Sequence, residues 1–222
     1  MGTTEATYYG VYGTWLRNQI EQLSQGMTQV YSAPLNAGEV EQNWTVDGLE
    51  LSDDRGLLRL HVPKGQSFGI LFFNQKLSQD VIVDFSFMYP GDSAHDMNFV
   101  FPCAEKSVNA FNLGTVYVGS FCGWGGQLTG LEIDYPSSSS GKQKPARVLA
   151  TGLVQPNPGV MHYATWGKNG DKQWMILDGQ VCFFGDVVES VNGESGYFGF
   201  ESFAGSILLG QVTIRTAQQT SV

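Results

Sequence analysis

The stretch from Trp166 to Arg215 constrains the fold more than any other part of the chain. It carries Trp166, then Trp174-Met-Ile-Leu-Asp-Gly179, Gly196-Tyr-Phe-Gly-Phe200 and Val212-Thr-Ile-Arg215. Trp174 and Ile176 alternate on one face of a short strand, Asp178-Gly179 is a two-residue hairpin signal, and Val181 to Phe184 returns antiparallel. The series reads as strands closing an antiparallel sandwich.

The rest of the chain agrees. Of 222 residues, 28 are Gly, 13% are aromatic and only 15% are charged, a balance that favours short strands and tight turns over long helices. Strand patterns recur at 28–32, 57–62, 68–73, 80–88, 97–102, 114–121, 128–135, 146–150, 160–167, 173–177, 180–184, 196–203 and 207–215. Turn-rich separators divide them, among them Asp53-Asp54-Arg55-Gly56, Pro90-Gly91-Asp92 and Lys168-Asn169-Gly170-Asp171. A single helix is expected over 14–26, capped by Thr14, ended by Gly26 and carrying Leu16, Ile20, Leu23 and Met27 at helical spacing. Its apolar stripe should lie on the sandwich. The expected architecture is all-β, an antiparallel jelly-roll sandwich of two curved sheets with one short N-terminal helix. Residues 1–28 would form an extension and 29–222 the sandwich domain. Ser-rich 136–145 reads as a surface loop.

Charge and targeting signals narrow the partners. A formal net charge of −9 without a Lys/Arg cluster opposes nucleic-acid binding. No apolar run reaches the roughly 18 residues of a membrane span, and no basic segment followed by an apolar run opens the chain. The expectation is a cytoplasmic protein without a membrane partner, with secretion after loss of a leader as the alternative. Cys103, Cys122 and Cys182 are too few for a disulfide framework and read as small buried hydrophobes.

Four landmarks resemble the concanavalin A-like lectin/glucanase superfamily. They are Ala33-Pro34-Leu35 with Asn43-Trp44-Thr45-Val46-Asp47-Gly48; Phe72-Phe73 with Val81-Ile-Val-Asp-Phe85; Trp174 with Asp178-Gly179; and Gly196-Tyr-Phe-Gly-Phe200. The likeness is strongest to small single-domain members of unknown function found among bacterial polysaccharide-degradation genes, and extends to keto-disaccharide hydrolase domains. It implies two stacked curved sheets whose concave face binds a sugar chain. These landmarks specify turns and core positions, so they speak for fold and leave activity open.

Leu131-Glu132-Ile133-Asp134 is the sharpest chemical signal, because alternation puts both carboxyls on one strand face. The segment is similar to the Glu-X-Asp start of the catalytic strand of family-16 endoglucanases, but the later Glu of that pattern is missing, since Tyr135, Pro136 and Ser137 follow. Residues two apart on a strand are about 6.5 to 7 Å apart, near the carboxyl spacing of inverting glycosidases. An acid/base pair and a plain hydroxyl-binding or solvated pair are both consistent with that spacing.

His162 shares a strand face with Trp166, which offers a general base beside a stacking platform if that face is concave. His95-Asp96 before Asn98 could place an imidazole and a carboxylate at a cleft edge or form a plain turn, and Glu201 on a late strand could face a ligand. Tyr117, Trp124 and Trp166 are the candidate sugar platforms, while Trp15, Trp44 and Trp174 read as core. The three histidines have no metal-ligand spacing, and loop carboxylates such as Asp53, Asp54 or Asp186 do not form a calcium loop. No metal or other cofactor is expected. Three functions remain open at this level: a carbohydrate-binding or carbohydrate-cleaving protein; a cyclase or isomerase of a small apolar metabolite working through His162 and Asp134 in an aromatic pocket; and a structural module.

Overall fold

A computed structural model describes residues 3–91, 96–109, 114–123, 128–134, 147–152, 154–186 and 195–217. Helix α1 (Thr3–Ser24) precedes β1 (Met27–Pro34), and a short α2 (Ala37–Asn43) leads into β2 (Trp44–Asp47). Then come β3 (Glu50–Asp54), β4 (Leu57–His61), β5 (Phe68–Phe73), β6 (Val81–Met88) and β7 (Asp96–Cys103). The second half supplies β8 (Val116–Cys122), β9 (Leu128–Asp134), β10 (Arg147–Gly152) and β11 (His162–Asn169). It closes with β12 (Lys172–Leu177), β13 (Gln180–Asp186), β14 (Tyr197–Phe203) and β15 (Ser206–Ala217).

These strands form two sheets. The larger runs β13-β12-β11-β6-β15-β4-β3, with β1 also paired to β15; the smaller runs β10-β9-β8-β7-β14-β5-β2. The named pairings are antiparallel, as expected of the sandwich. Long β15 pairs with β4 through Ser206 to Leu209 and with β1 through Gln211 to Ala217. The Asp178-Gly179 turn joins Leu177 to Gln180 with both residues at positive φ, 48° and 77°, the mirror-image turn that matches strand twist.

Alternation builds the core. On β7, Met97, Phe99 and Phe101 face the opposing sheet, and on β14 Phe198 and Phe200 do the same. From the larger sheet, Phe85, Phe87 and Trp166 meet them. Trp166 spans the two layers, its ring centroid 5.1 Å from Phe99, 5.7 Å from Phe101 and 6.0 Å from Phe198. Its indole N–H donates to Gln173 Oε1 at 3.3 Å, which lets so large a polar-tipped ring be fully buried. Tight packing leaves no room at Gly119, where a Cβ would come within 1.8 Å of the Phe99 ring.

Three expectations need correction. Helix α1 begins at Thr3, well before Thr14, because the preceding residues continue the helix instead of capping it. Leu16 and Ile20 are buried, and Ile20 packs with Ile82 and Trp174 on the outer face of the larger sheet; Trp15 instead is 49% exposed, touching Phe184 edge-on. The segment 36–54 holds α2, β2 and β3, which have weak hydrophobic alternation: Asn36 Oδ1 caps α2 by accepting from Glu39 N at 3.0 Å, and polar β3 lies at the sheet edge. No described helix is long and apolar enough to cross a membrane.

Trp166→Ala should lower unfolding free energy by about 3 to 5 kcal/mol, the usual cost of deleting a buried indole, as read from the chemical-denaturation midpoint. An unchanged midpoint would show that the sheets do not depend on this ring.

Candidate functional site

The smaller sheet turns its second face away from the core, and the polar positions of three strands converge there. Because Phe99, Leu131 and Phe200 point inward, their neighbours Asn98, Glu132 and Glu201 point out. Pairing then sets the layout. Asn98 sits opposite Ser120 on one side and Glu201 on the other, while Glu132 sits opposite Val118 and Asp134 opposite Val116. Phe203 lies between Asp96 and Phe68.

Together they surround a cleft of about 550 Å³, with Asp96, Asn98, Glu132, Asp134 and Glu201 supplying polar groups and Phe68, Val108, Val118 and Phe203 apolar ones. Asn98 is fixed in place: its Oδ1 accepts from Ser120 Oγ at 2.5 Å, and its side chain also bonds Glu201. The segment after β7 forms one wall. Val108 N donates to Asp47 Oδ2 at 2.8 Å, and Lys106 Nζ donates to Asn74 Oδ1 at 2.8 Å. Beneath that wall Ile70, Phe72, Val100, Val116 and Val118 form a small second apolar cluster. The cleft therefore has a firm floor.

Its electrostatics are unusual. Burial pushes Glu201 up to about 8, an effect the Asn98 hydrogen bond opposes and the charges of Asp96, Glu132 and Asp134 increase. Glu132 is raised to about 7 by burial and by neighbouring Asp134 and Asp96. Perturbed carboxyls cluster at functional sites, which makes this cleft the candidate site. At neutral pH this cleft holds both protons and negative charge.

Other residues singled out from the sequence lie elsewhere. His95 and Trp124 are outside the described residues. Tyr117 and Trp166 are corrected: each is fully buried between the sheets, where no sugar can stack, because their strand positions share the inward face with Ile133 and Phe99. His162 is also corrected. It belongs to the other sheet, so it cannot act with Asp134, and its ring points into the sandwich beside Phe87, 5.7 Å between centroids. Nε2 accepts from Asn157 N at 2.9 Å and Nδ1 bonds Asp178 Oδ2 at 2.7 Å, so the imidazole ties β11 to the β12–β13 turn. Partial burial pushes Asp178 upward, but bonds from Tyr163 N and His162 outweigh it and hold the carboxyl below its usual range.

Asp54 pairs with Arg59 and Arg55, and Asp186 with Lys172, so these carboxylates already have cationic partners. Burial pushes the Cys103 thiol up to about 12 and Cys122 to about 11, which makes both poor nucleophiles. Asp96, read from the sequence as a carboxylate at a cleft edge, does line the cleft, whereas sequence reading missed Phe68 and Phe203. Phe203 was visible as the last residue of a strand, but only the cross-strand register shows it beside Asp96.

The sandwich resembles solved structures over most of its length. A protein of unknown function with galectin-like fold from Bacillus subtilis has a TM-score of 0.66 at 13% identity, covering 86% of this chain and 98% of that one. The fold is galectin-like. The carbohydrate-binding module CBM66 from Bacillus subtilis matches with a TM-score of 0.58 at 13% identity over 78% of this chain and 96% of that one. The exoplasmic/lumenal domain of VIP36, solved with Ca²⁺ and Man3GlcNAc bound, gives 0.60 at 11% identity over 88% and 92%. No protein-family model and no curated protein matches the sequence. At such identities the likeness to these neighbours is one of fold.

Raised carboxyls make the protein more stable in acid. Glu201 and Glu132 hold protons more tightly folded than unfolded, so their contribution is complete below about pH 4.5 and is lost as pH rises through about 7 and 8. Thermal melting from pH 5 to 9 should show a falling Tm that flattens in Glu201→Gln; the same slope in both proteins would refute the assignment.

Proposed function

We propose that this protein is a lectin-like carbohydrate-binding module and that the cleft on the outer face of the smaller sheet holds the sugar. The observation that carries this reading is the pairing, within one cleft, of an exposed aromatic edge with fixed polar groups. Phe203 is 41% exposed at the cleft while most of the chain's large aromatic rings are buried. A sugar ring presents an apolar C–H face that stacks on such a ring, and its hydroxyls need acceptors and donors of the kind Asn98, Asn109 and the carboxyls provide. CBM66 and the Man3GlcNAc-bound VIP36 domain, which share the fold, support a saccharide as the ligand class.

The enclosed aromatic pocket that conversion of an apolar metabolite would need does not occur among the described residues near Asp134. A second reading, glycoside cleavage, is favoured by one observation. Glu132, raised to about 7, is protonated in a substantial fraction of molecules at neutral pH, as a general acid needs, and Asp134 follows it on the same strand face. Reducing sugar released by the native protein and not by Glu132→Gln would establish cleavage; retention without release leaves the binding reading alone.

Glycan-array screening followed by calorimetry tests the main reading. Phe203→Ala should weaken binding about tenfold, on the order of 1.4 kcal/mol, with only a small fall in Tm, since part of the ring already faces solvent. A native protein that retains no glycan would refute the proposal.

A further inference from the structure

The cleft gathers four carboxyls on the outer face of the smaller sheet. Its carboxyls come from three strands: Asp96 on β7, Glu132 and Asp134 on β9, and Glu201 on β14. From β5 and β8 the cleft-facing residues Phe68, Ile70 and Val118 add no charge. Of the charged groups on the adjoining wall, Asp47 accepts from Val108 N, and the Lys106 ammonium is committed to Asn74 and to the Tyr197 ring, 5.5 Å from its centroid. Glu105, next in sequence, is exposed. No described cation lines the cleft.

Glu201 is the critical group, only 5% exposed at the cleft floor with Asn98 as its hydrogen-bond partner. A ligand seated above it removes the remaining water. Sealing an ionised carboxylate under a neutral molecule costs several-fold to many-fold in affinity unless a cation arrives with it. A protonated carboxyl avoids that cost and also donates a hydrogen bond to a sugar oxygen, which a carboxylate cannot do.

Resting on the carbohydrate reading above, we propose that the site is proton-gated: a neutral saccharide is held while Glu201 and Glu132 carry protons and is released when they ionise. The raised positions of both groups, about 8 and about 7, put the transition between mildly acidic and mildly alkaline conditions. Above the transition, both the charge on Glu201 and its repulsion with Asp96, Glu132 and Asp134 oppose closure of the site.

The test uses the full chain on an array of neutral glucose-, galactose-, mannose- and fructose-based oligosaccharides, with permanently cationic trimethylated chitosan oligomers beside them, read at pH 5.5, 7.0 and 8.5. Neutral-glycan affinity should fall at least about tenfold between pH 5.5 and 8.5, because each required proton costs a factor of ten per pH unit above its pKa. Glu201→Gln, which fixes an uncharged amide at that place, should reduce the dependence, and the double variant Glu201→Gln/Glu132→Gln should remove it and retain binding at pH 8.5. Carbon-13 NMR titration of the glutamate carboxyls provides a readout independent of ligand. Neutral glycans bound equally at all three values, or chitosan bound better as pH rises with neutral glycans ignored, would overturn the gate while leaving a carbohydrate site. Glu201 titrating with the surface carboxyls would overturn it too. Retention of no saccharide at any pH would remove the carbohydrate reading and the gate together.

Discussion

Contact between the two sheets through one aromatic cluster is the constraint on which the rest depends. Phe85 reaches Phe99, Phe121 and Phe200 at 6.3, 6.2 and 5.0 Å between centroids, and Trp166 adds its contacts with Phe99, Phe101 and Phe198. Offset and edge-on pairs of this kind contribute beyond the area they bury. They also fix the facing of every strand that takes part. Once Phe99 is inward, Asn98 is outward, and a slip of one residue would bring Asn98 into the core and Phe99 into solvent. The core thus sets the position of the polar residues as strictly as its own.

That coupling explains why the polar groups of the cleft can be held in an unfavourable state. A buried glutamate among three other carboxyls opposes folding at neutral pH. It is retained because Glu201 shares β14 with Phe198 and Phe200, whose packing outweighs the electrostatic cost, and because Asn98, itself bonded by Ser120, supplies a partner. Strongly perturbed acids placed on rigid strands are expected where a site must recognise a ligand, and a solvated surface would relax them.

The sequence carried most of the fold and half of the site. Period-two patterns such as Val81-Val83-Phe85-Phe87 and the Asp178-Gly179 turn are local signals, so the strands and the final hairpin could be read directly. Segment 36–54 escaped because its edge strand and short helix are specified by Asn36 capping and by pairing with β5 and β4, not by alternation. Glu132 and Asp134 were readable as a pair on one face. What could not be read was which sheet each aromatic belonged to: Trp166 and His162 do share a face, as their spacing requires, but that face is the core. Facing is a tertiary property, decided by which neighbouring strand buries a residue.

The same limit explains Phe203. It shares the outer face of β14 with Glu201, whereas Phe198 and Phe200 face inward, and it stands at the strand end, where the chain passes into the turn at Ala204 with φ 53°. Burying it would require a neighbour on the outer face, and Phe68 and Asp96 flank it without covering it. An aromatic ring left partly in water costs hydrophobic stabilisation that a polar residue would not forgo. A binding site recovers that cost when the ligand covers the ring, so its exposure beside fixed amides and perturbed acids argues for recognition and not for packing.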